Sequence, residues 1–532
     1  MYGRTLSRRT LLVGAGATAA LTALSSISSS RSTAAAPAEP VDVLIVGSGY
    51  AGAIAAFRLA EAGINSVVVE RGRRWPIRPT GDTFATPENP DGRAAWLSTT
   101  SPFTPEPLDI YPGVLEAYQA DGVMALAGAG VGGGSLVNSA VMMQPSRELF
   151  NLTLGRLLDY DEMDDVWFPR ARNLIGATPM PDDVYNSSYY RAARGFYDAA
   201  QRAGLDPIRV DMALDWDVVR GEMTGRYVQS AVLGHSTWGM NSGAKRSVDR
   251  TILAAAEATR RVAVVTLTRV VSIVQQRDRY LVSCERINES GTVVARPTFS
   301  ARHVILAAGS LGTTKLLVRA RARRELPLLS PRVGTAWCTN GDTVAMWSGM
   351  PDNNPGQGGP SGIIARDWVN NPIGPVTGLN FPWPGMPAGT GALAGLFLGL
   401  APAVGRFSYN HATDEVRLTW PASAPAVTQV VDAVTDTVGR FAAVDGATPQ
   451  FITPERTSHP LGGVPLGIAT DLLGRLRGYP NLYVIDSALI PGSTGGAPPA
   501  LTVAALADRC VTGLLEADAF SPSRRPASLA TV

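Results

Sequence analysis

Residues 41–70 read VDVLIVGSGYAGAIAAFRLAEAGINSVVVE, and this stretch decides the fold class. It opens with an apolar run of strand length and continues directly into the pattern G-x-G-x-x-G at Gly47, Gly49 and Gly52. An apolar helical periodicity follows, and a second short strand closes with Glu70. Strand, glycine turn, helix, strand and acid in this order predict an α/β fold with a dinucleotide-binding unit.

Each part of this unit has a physical role. Gly47 permits the tight turn, Gly49 lets the backbone approach a pyrophosphate, and Gly52 lets helix and strand pack closely. The start of the helix supplies N–H donors and positive potential for the phosphates. Glu70 is placed to accept hydrogen bonds from an adenosine ribose. The motif itself is compatible with both FAD and NAD, so the choice depends on the rest of the chain.

A second glycine-rich run, GAGVGGGSLVN, covers residues 128–138. So many glycines would let the main chain lie flat against a planar ligand, with Asn138 as a polar anchor. A flexible linker is the alternative, and the apolar residues that follow from Leu136 disfavour it.

Apolar runs predict the other elements. A meander of three strands is predicted over residues 262–268, 270–273 and 280–284. Residues 303–310 predict a buried strand that ends at a glycine turn, and residues 501–515 predict a final helix. The uncharged stretch 385–405 contains six glycines, so it predicts a buried strand and turn, or a cavity wall, and not a lipid-facing helix.

The composition limits the class of protein. A chain of 532 residues favours two lobes or domains. The net charge is +2, and the absence of a basic block argues against a nucleic-acid partner. Three scattered cysteines and four histidines predict neither a disulfide framework nor a metal centre. Demanding chemistry must therefore come from an organic cofactor or a few well-placed groups.

The N-terminus has the features of an export signal. Arg8 and Arg9 precede a short, weakly apolar run, and an alanine-rich stretch over residues 33–38 offers cleavage sites. This order is typical of a twin-arginine signal, with an amphipathic or disordered leader as the alternative. We predict a signal peptide over residues 1–38 and a secreted mature chain.

The order of these motifs resembles the glucose-methanol-choline (GMC) oxidoreductase family, most closely its bacterial cholesterol oxidase branch. The likeness covers about residues 41–516, and its strongest matches are residues 128–138, 245–255, 308–313 and 481–493. The resemblance implies FAD, bound non-covalently, and the GMC fold, which is α/β (α+β overall). In this fold a Rossmann-like FAD-binding domain adjoins a sheet-backed substrate-binding domain. The FAD-binding domain would comprise residues 39–75, 115–145, 243–335 and 458–516. The substrate-binding domain would comprise residues 76–114, 146–242 and 336–457. A flexible tail would cover residues 517–532.

The resemblance also implies cofactor contacts, position by position. The ADP half would be bound by Tyr50, Ala51 and Glu70, together with the three motif glycines. The isoalloxazine and ribityl side would be lined by Gly134, Asn138, Ser139 and Val141. Val270 would contact the adenine through its backbone, and Asp486 and Ser487 would approach the ribityl–phosphate region. Gly309 is a further cofactor-binding residue.

His459 lies in the segment that resembles the family's active-site histidine. Imidazole suits the removal of a hydroxyl proton because its ordinary pKa, about 6.5, lies near working pH. We therefore expect His459 to be the catalytic residue.

Two positions depart from the sterol oxidases. Their asparagine before Pro499 falls here on Ala497 or Pro498, which removes a side-chain donor. Their isomerase glutamate has no counterpart, because Asn380 is the nearest polar candidate and cannot act as a carboxylate base. Isomerisation by the family's route is therefore not expected. Apolar residues suit the substrate walls or the core, namely Trp383, Met386, Leu396 and Phe397.

We expect a secreted FAD-dependent enzyme that oxidises a secondary hydroxyl of a hydrophobic alcohol to a ketone, with O2 reduced to H2O2. Four alternatives stay open. They are a dehydrogenase with a quinone or dye-like acceptor, an enzyme for a polyketide or terpenoid alcohol, a flavoprotein without net redox change, and an impaired flavin- or lipid-binding protein. We also expect a monomer whose loops near Trp96 to Phe103 contact membrane surfaces transiently.

Overall fold

The computed structural model describes residues 38–350, 354–453 and 455–520. Apart from Ala38, the predicted export signal lies outside the described residues. Residues 521–532 of the predicted tail also lie outside them.

The strands and helices follow one another along most of the described chain. The strands are β1 (Glu39–Val46), β2 (Ser66–Val69), β3 (Leu115–Gln119), β4 (Met124–Gly128), β5 (Thr178–Pro179), β6 (Asp206–Arg209), β7 (Asp211–Met212), β8 (Val262–Val265), β9 (Thr268–Gln276), β10 (Arg279–Ile287), β11 (Val293–Ala295), β12 (Thr298–Leu306), β13 (Thr335–Cys338), β14 (Asp342–Ser348), β15 (Ile363–Asp367), β16 (Val376–Asn380), β17 (Ala392–Leu398), β18 (Arg406–Asn410), β19 (Glu415–Thr419), β20 (Gln450–Phe451), β21 (Arg456–Thr457), β22 (Leu461–Gly463) and β23 (Leu482–Val484). The α-helices are α1 (Tyr50–Glu61), α2 (Arg147–Thr153), α3 (Tyr160–Glu162), α4 (Phe168–Ile175), α5 (Asp182–Tyr185), α6 (Arg191–Arg202), α7 (Trp216–Met223), α8 (Ile252–Ala258), α9 (Gly309–Ala322), α10 (Pro425–Ala443) and α11 (Ala500–Glu516).

An eight-stranded sheet carries the first glycine motif. Its parallel part runs β23–β12–β1–β2–β8, and Val43 of β1 lies opposite His303 on one side and Ser66 on the other. The last four residues of β1 are buried, and α1 packs against α8 and α11. Apolar strands buried in this way are typical of parallel sheets covered by helices. The predicted α/β unit of residues 41–70 is confirmed.

The predicted meander is only partly confirmed. β9 and β10 form an antiparallel hairpin, and β10 pairs in turn with β12. The first predicted strand exists as β8, but its predicted place in the meander is wrong. It pairs parallel with β2 instead, with Val262 opposite Ser66. The chain passes through Leu267 at φ 52° between β8 and β9. A short apolar strand carries no local signal for its partner, so only the tertiary fold decides this pairing.

A six-stranded antiparallel sheet, β20–β14–β17–β16–β15–β6, forms a second layer. All seven residues of β17 are buried, which confirms the strand predicted within residues 385–405. Side chains alternate between the two faces of a strand. Leu396 therefore packs with Leu379 on one face, while Phe397 packs with Phe441 of α10 on the other.

The strands of the two sheets fall into the two predicted domains. Those of the eight-stranded sheet lie within the segments predicted to bind FAD, and those of the six-stranded sheet lie within the segments predicted to bind substrate. The domain bounds themselves stay predictions.

Two features are absent from the part of the chain that the structure describes, a membrane-spanning helix and a cluster of metal ligands. It contains no helix with the length and apolar character needed to cross a membrane. The same residues hold no group of three or more His, Cys, Asp or Glu side chains arranged to bind a metal ion. Cys284, Cys338 and Cys510 are buried free thiols.

Candidate active site

A cavity of about 1160 Å³ lies at the carboxyl ends of the parallel strands. Its wall includes the residues that directly follow β1, β2 and β12, and it includes Asp486 and Ser487 just beyond β23. Residues of β16 and β17 from the second sheet also line it. In α/β folds, ligands bind at this edge of the sheet. The volume exceeds the usual 300–1,000 Å³ of a small-molecule site, so the cavity has room for a cofactor and a substrate.

The structure brings the predicted site residues together. Gly52 is the exception, since it packs beneath the wall. The predicted residues that line the cavity are Gly47, Gly49, Tyr50, Ala51, Glu70, Gly134, Asn138, Ser139, Val141, Val270, Gly309, His459, Asp486 and Ser487. Their individual roles stay predictions.

The three motif glycines differ in what surrounds them. A Cβ on Gly47, where φ is 99°, would lie 2.4 Å from the backbone oxygen of Ala307. A Cβ on Gly52 would lie 2.0 Å from the backbone oxygen of Gly47. At Gly49 the nearest atom to such a Cβ would be Gly133 Cα at 3.9 Å. Gly47 and Gly52 therefore serve the packing of the chain, whereas Gly49 leaves open space at the cavity.

The start of α1 presents free backbone donors to this space. Gly49 caps the helix without a side-chain hydrogen bond, and both Tyr50 and Ala51 line the cavity. The first N–H groups of a helix have no partner within the helix, and they carry positive potential. This end of the cavity can therefore hold a diphosphate.

Glu70 joins the glycine turn to the end of β2. Its buried carboxylate accepts hydrogen bonds from Ser48 N at 3.1 Å and Ser48 Oγ at 2.7 Å, and from Gly72 N at 2.8 Å. Sequence reasoning predicted a ribose contact for Glu70 and missed Ser48. Ser48 donates twice to Oε2, whereas Oε1 accepts only from Gly72 N, so the second lone pair of Oε1 can accept from a ribose hydroxyl.

Asp486 and Ser487 hold the start of α9. Asp486 Oδ2 accepts from Gly309 N at 2.9 Å and from Thr313 Oγ1, while Ser487 Oγ accepts from Ser310 N at 2.9 Å. Burial raises the pKa of Asp486 to about 6. The two residues thus cap this helix, and they also form part of the cavity wall.

The glycine-rich run contains a short 3₁₀ helix, Gly133–Leu136, and is held by a buried ammonium group. Lys245 Nζ donates to the backbone oxygens of Leu136, at 3.0 Å, and of Asn138. Burial is the main cause that lowers the pKa of Lys245, to about 7. Asn138 Nδ2 donates to Tyr50 Oη at 2.9 Å, which joins this run to α1. Lys245 lies in a segment that the sequence singled out, but no role was predicted for it.

His459 is paired with a buried carboxylate. Its Nδ1 lies 2.7 Å from Asp342 Oδ1, and the side chains are 15% and 1% exposed respectively. Asp342 Oδ2 accepts from the backbone N of Ser458 at 2.7 Å. With the carboxylate ionised, this contact requires the Nδ1-protonated form of the ring, because an ionised carboxylate only accepts hydrogen bonds. In the neutral ring Nε2 then has the free lone pair, and His459 lines the cavity.

The two positions that depart from the sterol oxidases, residue 380 and residues 497–498, both lie at the apolar side of the cavity. Ala497 is buried in an apolar cluster, while Pro498 lines the cavity and offers no hydrogen-bond donor. Asn380 is turned away, because its Oδ1 accepts from Ile363 N at 2.8 Å. Its neighbours Leu379 and Phe381 line the cavity instead.

The structure separates wall from core among the apolar residues that suit either role. Leu396 lines the cavity, whereas Phe397, Trp383 and Met386 are absent from its wall in the described chain. Phe397 belongs to the core on the opposite face of β17, with Trp347 and Phe441.

The residues present fit FAD. Glycines 49 and 134 leave space for a close approach, the start of α1 suits a diphosphate, and Glu70 can accept from a ribose. A glycine-lined dinucleotide wall that faces an apolar wall with one histidine suits a dinucleotide-dependent enzyme that oxidises an alcohol. The chain belongs to the GMC oxidoreductase family, whose N-terminal and C-terminal models match residues 11–335 and 410–507.

Known proteins resemble the chain over most of its length. Cholesterol oxidase of Mycobacterium tuberculosis (strain ATCC 25618 / H37Rv) is 26% identical over 553 aligned residues, which cover 88% of this chain and 90% of that protein. Cholesterol oxidase of Acinetobacter baumannii is 25% identical over 321 residues, 57% of this chain and 54% of that protein.

Solved structures share the fold. Pyridoxine 4-oxidase from Mesorbium loti superposes with a TM-score of 0.62 at 17% identity, covering 90% of this chain and 99% of that one. A fungal aryl-alcohol oxidase gives a TM-score of 0.62 at 15% identity, with the same coverage. The predicted family, fold class, FAD cofactor and enzyme class are confirmed. The protein is an FAD-dependent alcohol oxidoreductase that uses an oxidant such as O2.

Proposed function

We propose that the enzyme oxidises a secondary hydroxyl group of a bulky, uncharged alcohol, a sterol or a molecule of similar size, to a ketone. One observation carries this proposal. His459 lies in a cavity wall that is glycine-rich on one side and, on the other, is formed by Leu379, Phe381 and Leu396. An alcohol that packs against the apolar residues would direct its hydroxyl towards the imidazole.

The protein's part in the reaction is to orient the alcohol and to take its proton. The hydroxyl donates to Nε2 of His459, and the proton moves to that nitrogen while the carbinol C–H bond breaks. FAD, when bound, would supply the two-electron chemistry as the acceptor for the carbinol hydride, with O2 as the oxidant that yields H2O2. Burial of the substrate's apolar surface contributes about 25 cal/mol per Å² to binding.

The product is expected to keep its original double bond. Leu379 and Phe381 face the cavity where a carboxylate base would be needed, and the Asn380 side chain is engaged by Ile363 N. Neither hydrocarbon side chain can remove a proton from carbon. The proposed reaction is therefore oxidation without isomerisation.

The relatives named cholesterol oxidase favour a sterol as the substrate. Pro498 in the cavity wall, in place of a hydrogen-bond donor, favours a second candidate, a different apolar alcohol such as a polyketide or terpenoid. Both candidates use the same histidine and the same apolar wall.

We further propose that the enzyme acts as a monomer outside the cytoplasm, after export through the twin-arginine route. Arg8 and Arg9 support this location. The loop near Trp96 to Phe103 would contact lipid surfaces, since Phe103 is 37% exposed and also lines the cavity. Cell fractionation, sedimentation and vesicle binding test these three statements separately.

The central experiment mixes the purified FAD-loaded protein with cholesterol under anaerobic conditions and follows the flavin absorbance. Bleaching is expected with cholesterol and not with its 3-methyl ether, which lacks the hydroxyl. His459→Gln should retain its FAD and bleach roughly 10²- to 10⁴-fold more slowly. Admission of air should then yield peroxide, and the product should lack a conjugated enone. If cholesterol leaves the flavin oxidised while another apolar alcohol bleaches it, the sterol assignment is wrong and the second candidate stands.

A further inference from the structure

The histidine of the cavity has a carboxylate partner that is distant in sequence. Asp342 opens β14, and His459 follows β21 more than a hundred residues later. Asp342 Oδ1 faces Nδ1 of His459, and its Oδ2 receives the backbone N–H of Ser458 and lies 3.2 Å from Thr457 Oγ1. Thr457 Oγ1 in turn accepts from His459 N at 2.9 Å.

These contacts leave the imidazole one orientation. The carboxylate is buried, and its two oxygens face Ser458 N and Nδ1 of His459, so a rotated ring would leave a buried charge short of a hydrogen bond. Such a loss costs about 1–3 kcal/mol or more for a charged group. No described residue hydrogen-bonds Nε2, which leaves this atom for a ligand in the cavity.

We propose that Asp342 is a positioning residue that holds His459 as the Nδ1-protonated tautomer, so that this one imidazole is the proton acceptor and no second polar side chain is required. The proposal rests on the proposed function. It accounts for Pro498 in the cavity wall, because an alcohol bound to a lone-pair acceptor needs no further donor to direct its proton. Asp342 does not touch the substrate and acts through the ring.

Other titratable groups lie near the Asp342–His459 pair, and their effects on the measurements must be distinguished from those of the pair. Glu455, beside β21, accepts from Trp420 Nε1 at 3.0 Å, and burial raises its pKa to about 7, with Asp342 adding to the rise. Burial raises the pKa of the Cys338 thiol to about 12, so it stays neutral at working pH. Glu455→Gln is therefore the control for any titration near neutral pH.

The first test reads the tautomer directly by ¹⁵N NMR of the FAD-loaded protein. The chain has four histidines, so the imidazole signals can be assigned by substitution of His459. We expect a protonated Nδ1 and a bare Nε2 in the wild type. In Asp342→Asn the amide can donate to the ring, which should shift the proton to Nε2. A wild-type His459 protonated on Nε2 would overturn the proposal, even if no substrate were known.

The second test is kinetic. Asp342→Asn should lower kcat roughly 10²- to 10⁴-fold, the usual contribution of a general base, with FAD content and KM unchanged. Glu455→Gln, a change of the neighbouring buried carboxyl group that does not contact His459, should keep kcat within a few-fold of wild type. Asp367, at the end of β15 in the second sheet, is a buried carboxylate paired with Arg440 of α10. Asp367→Asn therefore controls for the loss of a buried charge and should keep kcat within a few-fold of wild type. Turnover of Asp342→Asn within a few-fold of wild type would refute the positioning role.

Discussion

Gly49 offers a test that separates the cofactor site from the fold. Its φ of −70° and ψ of −165° are accessible to alanine, and the nearest atom to an added Cβ lies 3.9 Å away. Alanine is less favourable than glycine as a helix N-cap, but it also restricts the unfolded chain. These effects are each below about 1 kcal/mol and oppose each other. Gly49→Ala should therefore leave the stability of the apoprotein within about 1 kcal/mol of wild type.

The same methyl group should impair cofactor binding. It would project into the cavity where the backbone is expected to approach the diphosphate of FAD. Overpacking of one methyl group costs about 1–3 kcal/mol, which corresponds to a roughly 5- to 150-fold weaker Kd. Gly47→Ala should behave differently, because its Cβ would lie 2.4 Å from Ala307 O at a φ of 99°. That substitution should destabilise the chain by about 2–5 kcal/mol.

The assay combines urea unfolding of the apoprotein with titration of FAD by flavin fluorescence. Gly439→Ala is the matched control, since Gly439 lies within α10 with nothing near its Cβ position. It should stabilise the protein by about 0.5–1 kcal/mol without effect on FAD. If Gly49→Ala binds FAD as tightly as wild type, the cofactor does not approach the backbone at this residue.

Two further predictions concern buried charge and the substrate wall. The pKa of Lys245 falls to about 7 in the fold against 10.5 unfolded, so the unfolded state binds more protons between these values. Its contribution to stability should therefore increase from pH 7 to 10.5, by up to about 5 kcal/mol, and stay constant below pH 7. Urea unfolding of Lys245→Met should lack this slope, and an equal slope would contradict the assignment. Leu396→Ser should raise KM for an apolar alcohol about tenfold, whereas Phe397→Ser on the opposite face should lower stability by about 3–5 kcal/mol and leave KM unchanged. Steady-state kinetics and unfolding distinguish them, and equal KM values for the two variants would mean that Leu396 does not contact the substrate.

The dinucleotide unit could be predicted from the sequence because its determinants are local. Gly47, Gly49, Gly52 and Glu70 lie within one stretch of thirty residues, and their order with the flanking strand and helix patterns is visible in that stretch alone. His459 could be identified only through a resemblance, since an isolated histidine carries no periodic signal. The absence of the Asn at residue 497 or 498, and of the Glu near residue 380, was also visible in the sequence.

The tertiary structure decided what depends on contacts between distant residues. Asp342 is the first residue of an ordinary, mostly apolar strand, β14, so nothing near it in the sequence points to His459. The pairing of β8 with β2 was missed for the same reason, because a short strand does not encode its neighbour. Residues on both faces of β17 are apolar, so the alternation that usually marks the buried face is lost. Only the packed sheet shows that Leu396 faces the cavity and Phe397 the core. The sequence by itself thus determined the cofactor-binding unit and the enzyme class, while long-range packing determined the histidine's partner and the substrate wall.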